Sequence, residues 1–113
     1  MAGPSPLARV KKHCLALPEA TLELKWESVY FCVKGKIFAG CGERDGKPSV
    51  TVKSDRAIQA GLLKRRGFYY PAYVGHAGWI GIELDIIQWD EARALLTDSY
   101  RRVAPKKLFK SLS

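Results

Sequence analysis

No apolar run in this sequence approaches the ~20 residues needed to span a bilayer, so a membrane-crossing helix is excluded and no membrane partner is expected. The opening residues, Met-Ala-Gly-Pro-Ser-Pro, have neither the charged start nor the apolar stretch of a secretory leader, and the expected location is cytoplasmic. Cysteine is scarce. Cys14, Cys32 and Cys41 are odd in number and nowhere spaced CxxC, which argues against a disulfide framework or a zinc site. They read as small buried hydrophobes. Acidic residues are in the minority: 19 Lys and Arg stand against 11 Asp and Glu, for a net charge of +8. An excess of this size attracts polyanions, nucleic acid first, through long-range attraction and counterion release.

Catalytic patterns are missing as well. Histidine occurs only at His13 and His76, with no DxH, HxH or HExxH neighbourhood, so no metal is expected. His13 lies among lysines on what should be an exposed helix face. For His76 to act as a general base it would need an activated nucleophile such as Ser99, and neither residue has a suggestive context. Glu83 and Asp85, two apart on one strand face, read as a solvated edge rather than a catalytic pair. Gly75-His-Ala-Gly78 and Gly40-Cys-Gly42 lack the strand-to-helix setting of a phosphate cradle. The expectation is a non-catalytic protein with no cofactor.

What is present fits one domain over residues 1–113, its core at about 5–104 and a basic tail at 105–113, since domains commonly run ~100–150 residues. Ser5-Pro6 is an N-cap followed by proline at the first helical position. Leu7, Val10, Cys14 and Leu17 then recur at helical spacing, and Leu17-Pro18 stops the helix. From Thr21 the pattern turns to strands: 21–25, 29–33, 37–41 and 49–53, with turns at Lys34-Gly35-Lys36 and Arg44-Asp45-Gly46-Lys47. Ser54-Asp55 can cap a second helix with Ile58, Leu62 and Leu63 inward and Gly67 as its left-handed cap. A Gly- and Pro-punctuated loop rich in aromatics, from Tyr69 to Gly78, runs into a strand over 79–84. A last helix carries Trp89, Ala92, Leu96, Tyr100 and Val103 on one stripe, with Asp90 and Glu91 in its first turn and Arg101 and Arg102 in its last. Pro105 ends it. The order α-β-β-β-β-α-β-α predicts a two-layer α+β fold, an antiparallel sheet with helices on one side.

With the elements in this order the chain resembles the MmcQ/YjbR family from about Leu7 to Leu108. The resemblance is carried by Leu17-Pro18-Glu19-Ala20-Thr21, Lys36-Ile37-Phe38-Ala39, Val52-Lys53-Ser54-Asp55, residues 71–80 (Pro-Ala-Tyr-Val-Gly-His-Ala-Gly-Trp-Ile) and residues 98–104 (Asp-Ser-Tyr-Arg-Arg-Val-Ala). It implies a compact α+β fold comparable with the "double wing" DNA-binding domain of a phage transcription factor, in which a saddle-like sheet face meets the duplex. Two positions depart from the family's habit. Lys25-Trp26 stands where proline often precedes the tryptophan, and His76 stands where Arg or Lys is common.

The expected partner is therefore nucleic acid, duplex DNA first and DNA before RNA, held mainly through backbone phosphates. Lys34, Lys36, Lys47 and Lys53 sit at turns and strand ends, where lysine either blocks edge pairing or touches phosphate. Lys64, Arg65 and Arg66 close the second helix, a placement that suits both the helix dipole and a phosphate clamp. Arg101, Arg102, Lys106 and Lys107 form a further basic end, and the turn lysines, Lys64-Arg65-Arg66 and this end are expected to make one surface. In the aromatic loop, Tyr69, Tyr70 and His76 are candidates for contact with a partner, by stacking on bases, while Tyr73 and Trp79 are expected to anchor the loop on the core. Nothing has the spacing of a recognition helix, which implies low sequence specificity and steep salt dependence. Two other readings remain open. One is a protein- or peptide-binding adaptor using the sheet face or edge, with Leu108-Phe109 as an anchor. The other is a small-molecule pocket under the aromatic loop, lined by Tyr73, Trp79 and His76. The sequence carries nothing on oligomeric state.

Overall fold

A computed structural model describes residues 5–25 and 28–110, without the side chain of Phe109. The extreme N-terminus, Trp26, the Phe109 anchor and the end of the basic tail lie outside the described residues. Helix α1 (Pro6–Leu15) starts as its sequence requires: Ser5 Oγ accepts the Ala8 N–H at 3.1 Å, and Pro6 occupies the first turn. Four strands follow as a meander, β1 (Ala20–Lys25), β2 (Ser28–Val33), β3 (Lys36–Arg44) and β4 (Lys47–Val52). Two-residue turns with both residues at positive φ, Lys34-Gly35 and Asp45-Gly46, join β2 to β3 and β3 to β4. That geometry matches the twist of the flanking strands.

Helix α2 (Arg56–Leu62) is capped by Asp55, whose carboxylate accepts the Ile58 N–H at 2.8 Å. A two-residue strand, β5 (Phe68–Tyr69), and a 3₁₀ turn (Gly75–Ala77) precede β6 (Ile80–Glu83); helices α3 (Trp89–Val103) and α4 (Lys106–Phe109) complete the chain. The sheet is antiparallel throughout, in the order β1-β2-β3-β4-β6-β5. The predicted α+β architecture is thus the observed one, with β5 and α4 added to the expected order. Both are too short to leave a periodic signal.

One sheet face is covered by α1 and α3. Phe31, Val33, Phe38, Val50, Val52, Ile80 and Ile82 meet Val10, Cys14, Leu96 and Tyr100 there, all fully buried. Ser99 ties α3 to the sheet: its Oγ donates to the Phe38 carbonyl at 2.5 Å and accepts the Lys53 N–H at 2.8 Å. Tyr100 Oη donates to the Pro18 carbonyl at 2.7 Å. No helix among the described residues is long and apolar enough to cross a membrane.

Several sequence expectations need correction. Ile58 is 40% exposed, and Gln59 is the buried residue of α2. The helix begins at Arg56, which turns position 59 inward. Helix α2 also ends at Leu62, before Lys64-Arg65-Arg66, so those charges lie in a turn and do not cap the helix. Gly67 is not a helix cap. Its φ of +102° and the approach of Ile86 and Ile87, which leave no room for a Cβ, explain glycine there. Glu83 ends β6, so Asp85 does not share a strand face with it. His13 is half-buried and not solvated; its Nε2 lies 2.8 Å from Thr97 Oγ1 and its ring meets Trp89 edge-on.

Candidate functional site

Among the described residues neither α1 nor α3 covers the opposite sheet face, and strand register decides what it displays. Alternation along each strand sends Tyr30, Gly40, Thr51, Gly81 and Tyr69 to this side as one row across β2, β3, β4, β6 and β5. The two glycines are where tyrosine rings lie down on the sheet. A Cβ at Gly40 would stand 3.2 Å from a Tyr30 ring carbon, and one at Gly81 would collide with the Tyr69 ring. Tyr69 is held at both ends of its side chain: its hydroxyl donates to Ser49 Oγ at 2.8 Å, and the Arg44 guanidinium lies over its ring at 3.9 Å from the centroid.

The aromatic loop folds over one end of this row and is pinned from behind. Gln59 Nε2 donates to the carbonyls of Gly75 and Trp79, each at 2.7 Å, and Arg56 Nη2 donates to the His76 carbonyl at 2.8 Å. Gly78, at φ +93°, lets the chain pass close to the Ser54-Asp55 backbone. The Tyr70 ring packs over Gly75 and stays 55% exposed. Tyr73 was expected as an anchor and is the reverse: its φ is +67° and it is 93% exposed. Trp79 is half-buried rather than core.

Between loop and sheet runs a groove of about 410 Å³. Its floor is Tyr30, Ile37, Thr51 and Tyr69, and its wall is Pro71, Tyr73, Val74 and Trp79. A second hollow of about 190 Å³ adjoins it, sharing Tyr30, Gly40, Thr51 and Tyr69 and reaching Ser49 and Glu43. His76 is exposed on the 3₁₀ turn and does not line the groove.

The basic candidates divide between the two ends of the sheet. The turns on either side of β3 are separated by nine residues, about 30 Å of extended chain. Lys34, Lys36 and Lys53 lie at the β2–β3 end, where Ser99 also places the last turn of α3 with Arg101 and Arg102. Lys106 and Lys107 follow in α4, exposed. At the other end are Lys47 and the turn Lys64-Arg65-Arg66, which enters the sheet where the Glu83 N–H donates to the Gly67 carbonyl at 2.8 Å.

Three of these cations are already engaged. Lys34 pairs with Glu19 at 2.7 Å, Arg65 grips Glu91 through two bonds of 2.6 and 2.7 Å, and Arg102 pairs with Asp98 at 2.7 Å and Asp55 at 3.4 Å. Among the described residues Lys36, Lys47, Lys53, Lys64, Arg66, Lys106 and Lys107 have no ion pair. By alternation Lys25, Arg44, Lys47 and, one step past the strand end, Lys53 share the helix-free side with Thr51, while Glu23 and Glu83 are the strand carboxylates on that side among the described residues.

Sequence reasoning named the loop tyrosines and the lysines but missed Tyr30, Thr51, Gln59 and Arg44. Glycine inside a strand, at Gly40 and Gly81, was the available signal, because it marks a place where another group lies close to the backbone. Of the cysteines, Cys14 and Cys32 are buried and Cys41 is half-buried. Burial pushes their thiols up, Cys32 and Cys41 to about 11 and Cys14 higher still, so all three are protonated at neutral pH.

The YjbR family model matches residues 15–102, which takes in the whole sheet, the loop and most of α3. The chain belongs to the YjbR family. Its fold is similar to that of the crystal structure of Deinococcus radiodurans protein DR2400, described by the domain name DUF419. That match has a TM-score of 0.80 at 18% identity, over 96% of this chain and 90% of that one. A crystal structure of a protein from Pseudomonas syringae is similar with a TM-score of 0.65 at 19% identity, over 75% of this chain and 87% of that one. These identities make the likeness one of fold. No curated protein matches the chain.

Proposed function

We propose that this YjbR-family protein is a non-catalytic nucleic-acid-binding module, acting on DNA first, whose contact surface is the helix-free sheet face. The observation that carries the reading is the aromatic row and groove on that face, with Arg44 and Lys47 at one end and Lys53 at the other. Cations spaced along a sheet suit phosphates that pass over it, and rings between them suit bases. Phosphate contact through long lysine side chains reads no sequence, so specificity is low. The three free cysteines fit a reducing compartment, and we place the activity in the cytoplasm.

Fluorescence anisotropy with a labelled oligonucleotide at two salt concentrations tests the proposal. With about four phosphates contacted, affinity falls roughly a hundredfold between about 50 and 200 mM salt. Binding that ignores salt, or no binding at low salt, contradicts it.

The apolar lining of the groove favours a second reading, a small planar ligand bound without phosphate contacts. Such a ligand would bind independently of salt.

A further inference from the structure

We infer that the groove between the sheet and the aromatic loop receives an unpaired nucleobase, which makes single-stranded nucleic acid, rather than duplex, the preferred substrate of this interface. The inference rests on the nucleic-acid reading above and narrows it. A duplex presents phosphate and sugar to a protein surface and keeps the faces of its bases stacked inside. Against such a surface an apolar groove walled by rings has nothing to bind. A single strand can turn a base outward, and recognition of unpaired strands relies on aromatic side chains beside a positive track.

The groove has that composition. Its volume of about 410 Å³ lies in the lower part of the ~300–1,000 Å³ range of small-molecule pockets, enough for one planar ring system between Tyr73 and the sheet. Tyr73 is 93% exposed at a left-handed backbone position that side-chain-bearing residues seldom occupy, so its ring contributes little packing within the protein. The loop that presents it is held by Gln59 and Arg56, so the wall is set before a ligand arrives. Phosphates on either side of the inserted base would meet Arg44, over Tyr69, and Lys53, two positions beyond Thr51.

The test compares three labelled ligands of about a dozen nucleotides, a length suited to one such sheet: a single strand, the same strand without bases, and the duplex. The single strand is expected to bind at least about tenfold tighter than either other ligand, in keeping with the stacking of one or two bases. Tyr73→Ala, on a fully exposed ring, should keep the fold by circular dichroism and lose roughly five- to fiftyfold on the single strand alone. Tyr73→Phe, which retains the ring, should bind like the parent. Equal binding of the base-bearing and abasic strands, or a Tyr73→Ala variant indistinguishable from the parent, overturns the inference and leaves the phosphate-contact reading standing. Failure of all three ligands to bind at low salt overturns both.

Discussion

The ring of Tyr69 occupies the space that a side chain on Gly81 would need, across the β5–β6 pair. The glycine is therefore a requirement of its neighbour. A methyl group at position 81 would lift the ring, breaking the 2.8 Å bond to Ser49 and the stack with Arg44. Gly81→Ala should cost about 1–3 kcal/mol, the usual range for overpacking a filled site. Gly42→Ala, where the space is open and φ is ordinary, should stay within about 0.5 kcal/mol of the parent. Urea midpoints of the two variants check the contrast.

Two buried serines should behave in opposite ways. Ser99 satisfies the Phe38 carbonyl and the Lys53 N–H, so Ser99→Ala strands both and should cost about 2–3 kcal/mol. Ser54 has a buried hydroxyl with no partner among the described residues. Ser54→Ala should be neutral or slightly stabilising, because nothing is left unpaired. Thermal or denaturant melts of both variants decide the matter.

Gln59 is a positioning residue for the loop. Gln59→Leu keeps the helix stripe apolar but removes both bonds to the carbonyls of Gly75 and Trp79. It should destabilise the protein by about 1–3 kcal/mol and speed amide hydrogen exchange over residues 70–79 more than over the sheet. Uniform acceleration everywhere would contradict a local role.

The fold was legible in the sequence because strand and helix periods alternate cleanly and the caps and turns are conventional: Ser5-Pro6, Asp55, Lys34-Gly35 and Asp45-Gly46. The site was only half legible. Tyr73 and Trp79 read as anchors because an aromatic loop usually buries its rings, but a pinned backbone at φ +67° turns Tyr73 outward. Ile58 read as inward because apolar residues usually are. The helix register instead gives the interior to Gln59, whose amide meets two carbonyls that no aliphatic chain could satisfy. The basic residues read as one surface because a sequence does not reveal that the two turns flanking β3 point in opposite directions.

His13 should make stability pH-dependent. Burial, and secondarily Arg93, hold its pKa below the usual 6.5. Between those two values the unfolded chain binds more protons, so stability falls as pH drops below about 7 and levels off under the folded pKa. Thr97 faces His13 from α3, and Trp89 packs against the ring. His13→Leu should flatten this part of the profile, and Arg93→Ala should shift it toward pH 6.5. Denaturation at a series of pH values reads both effects.

Tyr73 should trade stability against binding. Tyr73→Gly removes the penalty of a side chain at φ +67° and sacrifices almost no buried surface, so it should stabilise by about 0.5–1 kcal/mol. The same change removes the proposed stacking ring and should weaken the single-strand complex. A variant that is less stable, or one that binds unchanged, contradicts this assignment.

The most direct measurement is an amide-resolved NMR titration of the labelled protein with a single-stranded oligodeoxynucleotide at low salt. The account predicts shifts concentrated at Tyr30, Gly40, Thr51, Tyr69, Gly81 and the 70–79 loop, with the outward faces of α1 and α3 quiet. Shifts confined to the helices, or no shifts at all, would contradict it.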